Sequence, residues 1–156
     1  MQVRKATEKD SEGIANVLVS SYNIADLEEA VQVFLDETKK HHHYIVAEED
    51  GRIMGIVTWA MHGLPKHMLC ELDRIAVLPE FRGKGISITL FNFLKEDADN
   101  EYKKHGFRLR KLYLLTHDDN ARAHAFYHKM GFKHETTLKQ HYYKDKDEFV
   151  FSMFFE

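Results

Sequence analysis

Arg82, Gly83, Lys84, Gly85, Ile86 and Ser87 place two glycines and two cations just ahead of a helical pattern. The unpaired N–H groups at a helix N-terminus, with the positive end of its dipole, form an anion site. Glycine lets the backbone approach a phosphate with no Cβ in the way. Capture of a phosphate or pyrophosphate is the chemistry this run could do. Two common phosphate motifs are excluded: no G-x-x-x-x-G-K-[ST] occurs, and the third glycine of a dinucleotide fingerprint is replaced by Ile88. On the glycines alone, a plain strand-to-helix turn stays open as the alternative.

Two carboxylates precede that run. Glu71 and Asp73 are two residues apart, so on a regular strand they share a face. Together they could hold a cationic amine and accept its proton, and the competing reading pairs Glu71 with Arg74 or a cross-strand base. Among the 11 histidines, His124 and His128 have the i, i+4 spacing of some zinc sites. They lack the glutamate of HExxH and a third ligand, so no metal site is expected. His41–His43 reads as a polar stretch before a strand.

The elements that must position these groups are legible. Val3–Thr7 reads as an edge strand, and Asp10 or Ser11 as the cap of a helix carrying Ile14, Val17 and Leu18. Leu27, Val31, Phe34 and Leu35 mark a second helix. Tyr44–Glu48, the Asp50-Gly51 turn and Ile53–Met61 form a hairpin. A strand over 68–77 leads into the glycine run, and a helix follows over about 84–105. Lys111–Thr116 reads as a strand, Asn120–Met130 as a helix ended by Gly131, and 132–142 and 148–155 as closing strands. The order β-α-α-β-β-β-α-β-α-β-β gives a mixed α/β (α+β) domain with much antiparallel pairing. In the strand before the glycines, Met68, Cys70 and Leu72 hold one alternation phase and Ile75 and Val77 the other. Either that strand is buried on both faces or a bulge near Asp73–Ile75 resets its phase.

Arg82-x-x-Gly85-x-Ser87, preceded by Ile75-Ala76-Val77-Leu78-Pro79-Glu80-Phe81, resembles the [QR]-x-x-G-x-[GA] segment of the GNAT N-acetyltransferase superfamily. Downstream, Asn120-x-x-Ala123-x-x-Phe126-Tyr127-x-x-x-Gly131-Phe132 resembles that family's second cofactor-binding motif, and the opening Val3-Arg4-Lys5-Ala6-Thr7 is similar to common family N-termini. Ser87 departs from the usual Gly or Ala. The resemblance implies a GNAT-like, mostly antiparallel sheet flanked by helices. It also implies acetyl-CoA as co-substrate and direct attack of an amine on the thioester. Ile75, Ala76, Val77, Arg82, Gly83, Lys84, Gly85, Ile86, Ser87, Asn120, Phe126 and Tyr127 then fall on cofactor-binding positions. Tyr127 falls where the family has an acid facing the sulfur, and Glu71 where some branches carry a base. Backbone N–H groups near Ile75–Val77 would serve the carbonyl. Lys129 and the cluster Lys103–Lys111 could meet the 3′-phosphate. Homodimers are common in the family.

Composition bounds the rest. The 156 residues suit a single domain over 1–156, and 44% hydrophobic with 30% charged residues describes a globular chain. A net charge of −3 argues against nucleic-acid binding. The sole cysteine, Cys70, cannot form an internal disulfide, and no apolar run approaches membrane-span length. A cytoplasmic protein without a membrane partner is expected. From Asp10 to Thr38 seven acidic residues stand with no Lys or Arg. They read either as solvated helix faces or as a surface meeting a small cationic, polyamine-like amine acceptor.

Overall fold

The computed structural model describes all 156 residues. Its elements are β1 (Gln2–Lys5), α1 (Ser11–Ser21), α2 (Leu27–Lys39), β2 (His43–Glu49), β3 (Arg52–His62), β4 (Leu69–Val77), α3 (Ile86–Lys103), β5 (Lys111–His117), α4 (Ala121–Met130), β6 (Lys133–Tyr143) and β7 (Lys146–Phe154). This is the order the sequence pattern gives. The strands form one seven-stranded sheet in the order β1-β2-β3-β4-β5-β7-β6, antiparallel except where β4 meets β5. No helix is long and apolar enough to cross a membrane.

Each face of the sheet buries its own core. Helices α1 and α2 cover one face, where Ile14, Leu18 and Phe34 pack on Tyr44, Val46, Ile56 and Ala76. Helix α3 covers the other, where Leu90, Phe91, Leu94 and Tyr102 pack on Ile45, Val57, Trp59, Cys70 and Leu72. Strand β2 therefore sends Tyr44 and Val46 to one core and Ile45 and Ala47 to the other, so its run is apolar throughout. The β2–β3 turn has positive φ at Asp50 (52°) and Gly51 (78°), the geometry a two-residue hairpin needs.

Local chemistry differs from expectation at one helix start. Asp10 precedes α1, yet its carboxylate gives no hydrogen bond to that helix. It accepts instead from both terminal nitrogens of Arg4, at 2.8 and 2.9 Å, and from the Thr7 N–H at 2.7 Å. A bidentate guanidinium outcompetes two amides for the same oxygens. Asp26 does cap α2, accepting from the Glu29 N–H at 2.8 Å.

A bulge resets the phase of β4. Thr58 of β3 stands opposite Arg74 and Trp59 opposite Leu72, which leaves Asp73 as the extra residue. Cys70, Leu72 and Val77 consequently share the α3-side core, with Ile75 packed against it. The backbone of the bulge is satisfied from the side: the Arg74 N–H donates to Thr58 Oγ1 at 3.0 Å.

Candidate active site

Strands β4 and β5 pair only from Leu69↔Lys111 to Glu71↔Tyr113. The paired end is tied shut by the Lys111 N–H and the Tyr102 hydroxyl, which donate to Met68 O at 3.1 Å and Leu69 O at 2.6 Å. Past the bulge the strands part and leave a cavity of about 840 Å³ that opens through the sheet. The Leu78 N–H donates to Met54 O on β3, so by the strand period Ala76 also turns to β3. Ile75 and Val77 then direct their backbone groups into the gap. Their carbonyls are used there, by the Tyr22 hydroxyl at 3.2 Å and by Arg82 Nε at 3.1 Å. The matching N–H groups remain for a guest.

The phosphate-type end is built as its sequence demands, with one adjustment. Gly83 and Gly85 have φ of 80° and 77°, which L side chains rarely adopt. Open space surrounds the point where a Cβ would sit on either, so the glycines serve backbone conformation rather than clearance. The left-handed Gly85 delays α3 to Ile86, two residues beyond the expected start. That helix begins with no side-chain cap and no acidic residue in its first turn, so its leading N–H groups are free for an anion. Ser87 and Arg82 line the cavity. Ile86 is buried at 4% exposure, so only its N–H is on offer. Gly83, Lys84 and Gly85 lie outside the cavity lining, and the Lys84 ammonium sits over the Phe81 ring, 5.6 Å from its centroid.

Helix α4 supplies the next wall. Asn120 caps it, its Oδ1 accepting from the Ala123 N–H at 3.2 Å, and Asn120, Phe126 and Tyr127 all line the cavity. The Tyr127 ring packs edge-on to Phe126 and Phe132. Its hydroxyl has no protein partner, and burial pushes its pKa up to about 12, so it remains a proton donor at any ordinary pH. Arg122, which the motif reading passed over, is an exposed cation on the same rim.

The opposite wall carries the acids. Glu71 lines the cavity but its Oε1 is 2.7 Å from His62 Nε2, the cross-strand base of the competing reading, on β3. Arg74 goes elsewhere: its Nη1 donates to Glu37 Oε1 at 2.6 Å and lies 3.6 Å from Asp73 Oδ2. Burial, ahead of the Glu37 charge, holds the Asp73 carboxyl above the usual carboxylate range, opposed by Arg74. Glu37, His42 and Asp73 bring their ligand-type atoms within 4.8 Å of one another, a grouping into which Arg74 already inserts its charge. His124, half of the i, i+4 pair, is engaged with His117 O at 2.8 Å and stacks on Phe149.

Besides Arg122, three groups here escaped the motif reading. Tyr22, just past the end of α1, and Tyr142 of β6 reach the cavity, and Glu148 of β7 binds His117 Nδ1 at 2.7 Å beside Asn120. Only the three-dimensional register, His117↔Glu148, brings that last pair together. Two charge readings are also corrected. The acidic N-terminal segment is largely spent on caps and ion pairs, with Asp10 on Arg4, Asp26 on α2 and Glu37 on Arg74. Only Ser21, Tyr22, Asn23 and Ile24 of that segment reach the cavity, so its acidic lining comes from β4 and β7. The basic cluster lies at the far end of 18-residue α3, ~27 Å from its N-terminus. Lys103, Lys104, Arg108 and Lys111, offered above for the 3′-phosphate, pair with Asp99, Glu101 and Glu135, and none of them lines the cavity.

Residues 11–132 match the model of the acetyltransferase (GNAT) family. The uncharacterized N-acetyltransferase YjgM of Escherichia coli is 31% identical over 145 residues, covering 85% of this chain and 81% of its own. Among solved structures, the ribosomal-protein-alanine N-acetyltransferase of Brucella melitensis superposes with a TM-score of 0.76 at 22% identity, covering 99% of this chain and 100% of its own. The Salmonella typhimurium protein yncA, solved with its cofactor acetyl-CoA, gives a TM-score of 0.75 at 16% identity over 100% of this chain and 94% of its own.

Proposed function

Because this chain belongs to the GNAT acetyltransferase family, we propose that it moves an acetyl group from acetyl-CoA to the primary amine of a small cationic acceptor by direct attack. The observation that carries the acceptor class is the cavity wall, where Glu71, Asp73 and Glu148 contribute carboxylates and Arg74 is neutralised by Glu37. The mouth of the cavity supports a small molecule. Asn23 Nδ2 donates to the Tyr143 hydroxyl at 3.0 Å, bridging the α1–α2 loop to the β6–β7 hairpin.

Acetyl-CoA fits the other half. Its pyrophosphate would take the free N–H groups at the start of α3 together with Arg82, whose terminal nitrogens have no protein partner, and Arg122. The backbone groups that Ile75 and Val77 direct into the gap suit an amide-bearing arm, and Asn120 and Phe126 stand beside them. This co-substrate supplies the activated acyl group. The chain supplies the rest: N–H groups of β4 for the carbonyl oxygen, Glu71 for a proton of the ammonium, and the Tyr127 hydroxyl for the departing sulfur.

Calorimetry with acetyl-CoA, then thiol release with spermidine, putrescine and alanine- or serine-headed peptides, tests this. Turnover confined to the polyamines is expected. Turnover confined to the peptides would transfer the reading to a protein amine, the activity named for the Brucella neighbour. Binding with no turnover on any amine would leave a non-catalytic acyl-CoA sensor.

A further inference from the structure

Converting R–NH3⁺ and acetyl-CoA into R–NH–CO–CH3 and CoA–SH forms a C–N bond and breaks a C–S bond. The nitrogen sheds two protons, one before it can attack and one as the new bond forms; the sulfur leaves as a thiolate and takes a proton back from water, so the net release to solvent is one. Glu71 accounts for a single removal, backed by His62, whose side chain is 42% exposed and can pass the proton to water. The cavity holds a second carboxylate–imidazole pair on its other arm. His117 ends β5, and Glu148 stands opposite it on β7.

The chemistry of this pair is fixed by burial. Glu148 is 3% exposed and has one hydrogen-bond partner, His117 Nδ1 at 2.7 Å. A buried carboxylate left without a donor is costly, so Nδ1 carries the hydrogen. In neutral His117 the lone pair is then on Nε2. The His117 side chain is 38% exposed and lines the cavity together with Asn120 and Tyr127. Its backbone is fixed as well, since His117 O accepts from His124 Nε2 at 2.8 Å on α4.

We propose that His117 is a second proton acceptor of the acetyl transfer, taking from the acceptor nitrogen the proton released as the C–N bond forms, with Glu148 as its positioning residue. This rests on the acetyl-transfer reading above. His117 returns the proton to water through its exposed edge. The groups around it are Glu148 and Lys146 on β7, Tyr143 on β6 with ring centroids 5.8 Å apart, Asp119 in the following turn and His124 on α4. Lys146 is spent on Asp119 at 2.9 Å, so Glu148 is the charge that bears directly on the ring. Tyr142 lines the same cavity as Glu71, Asp73, His117 and Glu148, so the two pairs face one space.

The test compares the intact chain with His117→Gln and Glu71→Gln. kcat/KM for spermidine is followed against pH at saturating acetyl-CoA, with acetyl-CoA affinity from calorimetry. A lost general base costs about 10²- to 10⁴-fold. His117→Gln should fall in that range and lose a limb of its pH profile that Glu71→Gln retains, while acetyl-CoA affinity stays within about 2-fold, well under the tenfold that 1.4 kcal/mol would give. A His117→Gln enzyme with unchanged rate and profile overturns the inference alone. A wild-type chain that binds acetyl-CoA but acetylates no amine overturns the function reading, and the inference with it. Imidazole ¹⁵N spectra of the wild type guard against a variant that fails to fold. Neutral His117 must carry its proton on Nδ1, and a proton on Nε2 refutes the assignment.

Discussion

Replacing Tyr127 by Phe removes one oxygen and leaves the packing intact. The ring's neighbours, Phe126 at 5.6 Å and Phe132 at 5.8 Å, meet its faces and edges rather than the hydroxyl. That hydroxyl bonds nothing in the protein, so folding gains nothing from it and Tyr127→Phe should melt within about 1–2 °C of wild type, under the shift expected from 1 kcal/mol. Catalysis should change far more. With the phenol near a pKa of about 12 and a thiol near ~8.5, full proton transfer to the sulfur would cost about 5 kcal/mol. Tyr127 therefore acts by donating a hydrogen bond to the developing thiolate. A hydrogen bond to a charged group is worth about 1.5–3 kcal/mol, or roughly 10- to 150-fold in kcat. Because the hydroxyl stays protonated, the wild-type kcat should show no limb attributable to it up to about pH 10. Thiol release under saturating substrates gives kcat, calorimetry gives acetyl-CoA affinity, and thermal melts give stability. An unchanged kcat would refute the donor role, and a fall in affinity or melting temperature matching the kcat loss would refute the selective mechanism.

Three further outcomes follow from single contacts. A Cβ on Gly55 would meet Ala76 O at 2.8 Å and Val77 Cγ2 at 3.1 Å. Gly55→Ala should therefore lose about 1–3 kcal/mol, or roughly 2–12 °C in Tm, and an unshifted melt would contradict the close approach of β3 and β4. Asn120→Ala should cost about 1 kcal/mol through the lost cap of α4 while Asn120→Asp keeps it, as urea unfolding would report. The Asp99 carboxyl is held down to about 2, chiefly by its hydrogen bonds from Arg108. A depressed folded pKa adds stability above the unfolded value that disappears as pH falls through the folded one, so this contribution fades between about pH 5 and 2. Asp99→Asn should lack it already at neutral pH and show a flatter acid limb; identical acid-unfolding curves would rule it out.

The amino-acid sequence by itself determined the features that rest on nearest neighbours along the chain. Gly83 and Gly85 prescribe a left-handed turn into α3, Asn120 its own cap, and Asp50-Gly51 its hairpin, because each satisfies backbone groups within a few residues. The change of phase across β4 narrowed that strand to two readings, burial on both faces or a bulge, since the side-chain period of a strand is 2, and the register of β3 decided for the bulge. Tyr127 and Glu71 were picked out by the resemblance of their segments to the family's motifs, and both line the cavity. What tertiary structure alone decided was who stands opposite whom. Which residue the bulge extrudes, Asp73, depends on the register of β3. That Glu71 meets His62 rather than Arg74, and His117 meets Glu148, depends on strands 9 and 31 residues apart in sequence lying side by side. Arg74 was drawn to Glu37, 37 residues away, because a partly buried carboxylate and guanidinium must find each other once water is excluded. From composition the acidic N-terminal helices read either as solvated faces or as the acceptor's surface. Packing spent their charges on caps and ion pairs, and the sheet supplied the acids that face the cavity instead.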